Sequence, residues 1–176
     1  TQLKQAQEAL AEAERIYRQA IATAGGVPYQ VDLETRQFTF LGEGIETLTG
    51  YAASEMDQAL WGDLVEEHSF QGALAGMSLA QAVQAVQSGA VSAWTEDVRI
   101  RTRSGETRWV SDVSVELRDE DKGYSIGSIG FLTDITERKR IEMALQENET
   151  LFRSLFEQSP DGIVLLDPNL LSDSNT

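Results

Sequence analysis

The chain reads as an α+β domain, a five-stranded antiparallel sheet with short helices on one face, flanked by an N-terminal and a C-terminal connector helix. Three observations predict it. Apolar and polar residues alternate in two short runs after residue 26 and in three longer runs after residue 93. Between these groups the apolar spacing is helical, and at both ends Gly- and Pro-free stretches repeat apolar positions at steps of three and four. Strands, then helices, then strands again is the order of a sheet covered on one face rather than of alternating βα units.

The first segment, residues 1–26, places Leu3, Ala6, Leu10, Ala13, Tyr17, Ala20 and Ala24 on one seam, with Glu8, Glu12, Glu14, Arg15 and Arg18 mostly off it. This is a coiled-coil-like helix of ~3 heptads, and its Ala-rich seam is equally compatible with packing on its own domain. Gly25-Gly26-Val27-Pro28 stops it, because Gly permits left-handed dihedrals and Pro lacks a donor. Residues 29–33 and 38–41 then form a hairpin around the polar turn 34–37. From 42 to 64, apolar clusters interrupted by Gly44, Gly50 and Gly62 predict brief helices, and residues 71–87 predict a longer amphipathic one closed by Ser88-Gly89.

In the run 94–103, Trp94, Glu96, Val98 and Ile100 alternate with Thr95, Asp97, Arg99 and Arg101. Ser104-Gly105 turns the chain into a second run that puts Trp109, Val113, Val115 and Leu117 on its more apolar face. After the acidic loop 118–123, a third strand ends at Thr133. At Asp134 the period changes to about 3.6, and Asp134 with Glu137 has the spacing of a capping box for a linker helix, residues 135–158. Ser159-Pro160-Asp161-Gly162 ends that rod, and Ile163-Val164-Leu165-Leu166-Asp167 resembles an opening strand.

Composition excludes several functions. With no cysteine there are no disulfides, thiolate metal sites, cysteine nucleophile or cysteinyl-flavin chemistry. A formal charge of -15 disfavours nucleic acid and anionic membrane surfaces as partners. No run approaches the roughly 20 apolar residues that crossing a bilayer needs, so the segment is expected to be cytoplasmic and free of membrane contact, in a parent chain that could itself be membrane-anchored. Carboxylates never stand beside a histidine or serine in a catalytic or metal-binding pattern, and no glycine run forms a phosphate loop, so no enzyme is read in this segment.

Three strings together carry a family resemblance. Thr49-Gly50-Tyr51 with Ser54-Glu55, residues 99–110, and Gly130 to Lys139 occur in the order and spacing of the PAS domain with its C-terminal PAC motif, over about residues 27–134. The resemblance implies a PAS fold. Residues 151–163 are similar to the start of another PAS repeat, so residues 159–176 are expected to open a second, truncated domain. The parent is then a tandem-PAS bacterial receptor, a sensor histidine kinase in a two-component system or, less often, a diguanylate cyclase.

Candidate pocket residues are Trp61, His68, Met77, Trp94, Trp109 and Phe131. His68, the lone histidine, raises haem ligation, yet its position ahead of the long helix favours a surface or capping role. The tryptophans could stack on a flavin, but core packing explains them as well, Trp109 above all. Haem and flavin are thus both disfavoured and the cofactor stays open. Arg99, Arg101, Arg103 and Arg108 form one basic cluster, for which salt bridges to Glu96, Asp97 and Glu106 compete with an anionic ligand.

The resemblance makes Asp134, Ile135, Thr136 and Glu137 the joint between sheet and output helix, and so the signal-relay positions. Leu3, Leu10, Tyr17, Ile141, Leu145, Leu151 and Leu155 are the positions expected to make a homodimer through the connector helices. The expected function is a sensory relay module answering a small molecule or a partner. A ligand-free spacer and dimerisation module is the alternative.

Overall fold

The computed structural model describes residues 1–119, 121 and 123–158. Its elements are α1 (Gln2–Thr23), β1 (Gly26–Asp32), β2 (Gln37–Leu41), α2 (Gly44–Thr49), α3 (Gln58–Leu64), β3 (Val65–Phe70), α4 (Leu79–Gln87), β4 (Ala93–Arg101), β5 (Thr107–Arg118), β6 (Ser125–Asp134) and α5 (Thr136–Gln158). Thr1–Thr136 is one compact unit, and the chain from Glu137 is a second. The truncated repeat expected at 159–176 lies outside the described residues.

The sheet has six strands in the order β2-β1-β6-β5-β4-β3, every neighbouring pair antiparallel. One strand more than expected is present because residues 65–70, Val-Glu-Glu-His-Ser-Phe, form the edge strand β3 against β4. An edge strand bonds on one side only and tolerates charge, so this segment lacks the apolar alternation that betrays the others. His68 is therefore a strand residue and not a helix cap.

The long helix expected at 71–87 is also shorter. Gly72–Leu74 makes a 3-10 turn, and Gly76 takes φ +78°, which breaks the helical path. Ser78 then restarts it: its hydroxyl accepts from Gln81 N–H while the Gln81 side chain accepts from Ser78 N–H, a complete capping box for α4.

Alternation builds the interior. On β4 and β5, Val98, Ile100 and Val110 have no exposure, and they close with Ile45 and Leu48 of α2, Val27 and Val31 of β1 and Leu132 of β6 into one core. A smaller cluster, Leu74, Ala82 and Val86 with Phe70, Met77 and Trp94, lies beneath α4. The inner face of β5 is the phase Val110, Asp112, Ser114, so Trp109, Val113 and Val115 point the other way, with Val115 45% exposed. The expectation that Trp109 packs between sheet and helices is corrected by this phase. The more apolar face of β5 is the outer one, because polar residues occupy two inner positions.

Candidate ligand cavity and exit joint

Cross-strand register gathers the polar residues of the inner face. Glu96 of β4 pairs with Asp112 of β5, which pairs with Leu132 of β6; one step along, Trp94 pairs with Ser114, then Gly130, then Tyr29 of β1. Gly130 is required there, since a Cβ would come within 2.4 Å of the Val113 carbonyl oxygen and 2.5 Å of Ser114 Cβ. Of these residues Tyr29, Trp94, Glu96, Asp112 and Ser114 line a cavity of about 320 Å³, to which α4 supplies Val83, Val86 and Gln87, with Leu33 and Gln58 also lining it.

Glu96, Asp112 and Ser114 are buried. Tyr29 donates its hydroxyl to Asp112 Oδ1 at 2.7 Å, Trp94 Nε1 donates to Glu96 Oε1 at 2.9 Å, and His68 Nδ1 lies 2.8 Å from Glu96 Oε2. Burial pushes the Asp112 carboxyl up to about 7, the nearby charge of Glu96 adds to the rise, and the Tyr29 hydrogen bond opposes it. Burial likewise raises the Tyr29 hydroxyl, with the Asp112 charge as the next cause. Glu116, at the rim, is met by Arg118 at 2.8 Å, and Arg118 also donates to the Val86 and Gln87 carbonyls at the end of α4.

A larger groove of about 570 Å³ lies between α1, the β1–β2 hairpin and α2. Its two cations are engaged: Arg18 pairs with Glu14 and covers the Phe40 ring at 4.0 Å, and Arg108 donates to the Thr47 and Leu48 carbonyls and to Glu106. The rest of the basic cluster is spent on ion pairs too, Arg99 with Glu66 and Glu67, Arg101 with Glu66, and Arg103 with Glu55. Glu106 is thus a partner as expected, through Arg108, while Arg99 and Arg101 also find Glu66 and Glu67 because β3 lies beside β4. Glu96 faces inward and binds His68 and Trp94 instead.

The exit joint is a compact set of hydrogen bonds. Ile135 N–H donates to the Trp109 carbonyl at 2.8 Å, and Trp109 N–H donates to Thr136 Oγ1 at 3.0 Å. Asp134 Oδ1 accepts from Thr136 N–H at 2.9 Å and from the Thr136 hydroxyl at 2.6 Å. Both backbone groups of Trp109 thus hold the joint, and Ile135 is buried. The reciprocal box expected between Asp134 and Glu137 is replaced by this local Asp–Thr turn, while Glu137 pairs with Arg140.

Of the pocket candidates, Trp94 alone lines the 320 Å³ cavity. Trp61 and Met77 pack against the two core clusters, His68 stacks on Phe70 along β3, and Phe131 is 38% exposed on the outer face of β6. Sequence reasoning passed over Tyr29, Asp112 and Ser114, and used Glu96 only as an arginine partner. The available signal was phase on β4, where Glu96 stands two residues from Val98 and so shares its buried side. Leu3, Leu10 and Tyr17 on α1, and Ile141, Leu145, Leu151 and Leu155 on α5, are all exposed in the single chain. No described helix is long and apolar enough to cross a membrane, and the described residues hold no group of three His, Asp or Glu side chains able to bind a metal.

The model of the PAS domain family matches residues 31–137, more than half of the chain. The chain belongs to the PAS domain family. Its PAS fold is similar to that of a sensory box histidine kinase/response regulator from Burkholderia thailandensis, at 22% identity and TM-score 0.59, covering 78% of this chain and 98% of that one. It is also similar to the N-terminal domain of a diguanylate cyclase with PAS/PAC sensor from Marinobacter aquaeolei, at 23% identity and TM-score 0.51, covering 65% of this chain and 98% of that one. An RNA-binding light-oxygen-voltage receptor shares the fold at 22% identity and TM-score 0.57, covering 80% of this chain but 38% of that one. No curated protein matches the sequence.

Proposed function

We propose that this PAS domain is the sensory relay module of a bacterial signalling receptor, in which occupancy of the 320 Å³ cavity biases the sheet and α5 carries the change to a C-terminal output domain. One observation supports this above the rest. Asp112, on the cavity wall, lies three residues along β5 from Trp109, whose N–H and C=O both bind the joint that starts α5. A β-strand transmits a shift in register or twist along its own backbone, so a change at Asp112 reaches Thr136 without a further intermediary. The exposed apolar residues of α1 and α5 give a second copy somewhere to dock, and the dimeric helical stalk turns the shift into rotation or register change. Histidine kinase and diguanylate cyclase outputs both fit such a stalk.

Two measurements test the proposal. Mass spectrometry of the purified protein under non-denaturing conditions should show a bound small molecule, whereas an empty cavity under all expression conditions would favour a spacer. Ile141→Pro in the full-length receptor should leave the PAS domain folded and uncouple output, since Pro in a helix interior removes a hydrogen bond and costs about 3 kcal/mol locally. Unaltered signalling in that variant would refute the relay.

A further inference from the structure

We propose that the cavity takes a small organic cation, a primary ammonium group on an apolar body; this rests on the reading of the cavity as the sensory site. Three carboxylates line it, Glu96, Asp112 and Glu116, and no lysine or arginine does. Glu116 has the Arg118 guanidinium at the rim, and Glu96 has Trp94 and His68. Asp112 is different. It is 8% exposed, and among the described residues the one hydrogen bond it receives is from Tyr29 to Oδ1, which leaves Oδ2 without a donor on the cavity wall. A carboxylate on the wall of a partly apolar cavity, with one oxygen open to that space, is stabilised by a donor that carries positive charge.

The rest of the cavity says what the donor is attached to. Leu33, Val83, Val86 and the Trp94 ring offer apolar wall, so the body is apolar and the charge sits at one end. At about 320 Å³ the space is at the small end for ligand pockets, which run from about 300 to 1,000 Å³, and suits a single ring or a short branched chain. An ammonium group has three donors, matching the Asp112 carboxylate, the Ser114 hydroxyl oxygen and a carbonyl or water. An anionic ligand meets three carboxylates, and a neutral apolar one leaves Asp112 further from water with nothing gained.

The test uses the whole chain and three probes of one shape: 2-phenylethylammonium, 2-phenylethanol and phenylacetate, titrated calorimetrically at pH 8. The ammonium should bind at least tenfold more tightly than the alcohol, and phenylacetate should not saturate. Asp112→Asn should weaken the ammonium at least tenfold and leave the alcohol unchanged, with circular dichroism establishing the fold; Glu96→Gln gives a second reading should Asp112→Asn fail to fold. Equal or tighter binding of the alcohol or phenylacetate overturns the cation while leaving a ligand site. Ammonium affinity unchanged in both variants places binding elsewhere and overturns it too. Binding by none of the three also defeats the cation proposal, and the mass spectrum of the purified protein decides separately whether the sensory reading stands.

Discussion

Two neighbouring cross-strand pairs on the same two strands behave in opposite ways. Val98 faces Val110, both fully buried in the core beneath α2, while two residues along Glu96 faces Asp112, both buried beside a cavity. The apolar pair is held by close packing, which has one arrangement. The acidic pair is held by Tyr29, Trp94 and His68 and brings two like charges together, so its energy depends on protonation and on what fills the space. The rigid pair is the one next to the exit joint, since Val110 is paired with Asp134. The sheet thus places an adjustable end against a stiff one, and the stiff end adjoins the start of α5.

The comparison breaks most visibly at the stiff end. Ile100→Ala removes a side chain with no exposure, and should cost about 2–5 kcal/mol in urea unfolding. Asp112→Asn should do the reverse at high pH. With the folded carboxyl raised to about 7, the native state binds a proton that the unfolded chain has released, so stability falls as pH climbs from about 4 to about 7 and is level above. The shift corresponds to roughly 4 kcal/mol at most, and the new amide needs acceptors among Glu96, Tyr29 and Ser114, so a gain of about 2 kcal/mol is expected at pH 8, absent below pH 4. A variant that is less stable than the parent at both pH values would show that Asp112 is not strained in the fold.

These residues also mark what the sequence could disclose. The inner phase of β4 is legible from Val98 and Ile100, as are the hairpin at β1 and β2 and the change of period at Asp134, whereas that of β5 is not, because its more apolar face, Trp109, Val113 and Val115, is the outer one. The edge strand β3 is not legible either, because Glu67 and His68 pair on one side with β4 and are exposed, and Glu66 falls in the register shift, leaving no alternation to detect. The cavity escapes sequence reading for a related reason. Large aromatic residues suggest pocket lining, but the cavity lies where side chains are small or polar, at Ser114, Ser128 and Asp112, and where α4 begins only at Leu79 after Gly76 has turned the chain. Aromatic size predicts filling, and so Trp61 is found in packed surroundings.

A smaller effect sharpens the adjustable end. Tyr29→Phe removes the donor to Asp112 Oδ1 and should cost about 1–2 kcal/mol at pH 8, where the carboxylate is left without it. The same change raises the Asp112 pKa further, since the Tyr29 bond is what holds it down, so the loss should shrink at pH 5, where the group is protonated in both proteins. Urea unfolding at the two pH values measures this, and an equal loss at both would assign Tyr29 a packing role alone.

The smallest change falls at the joint. Thr136→Val keeps the shape of the side chain but removes the oxygen that accepts from Trp109 N–H and the hydroxyl that donates to Asp134. Packing in the core is untouched, so the global cost should be about 1 kcal/mol. The local effect is the informative one: exchange of the Trp109 amide should quicken several-fold, while the Val98 and Val110 amides keep their protection. Thr136→Ser, which restores the oxygen, should return the Trp109 amide to its slow rate. If that amide stays slow in the valine variant, strand pairing alone fixes β5 to α5, and the Asp134–Thr136 turn is a helix start with no part in the coupling.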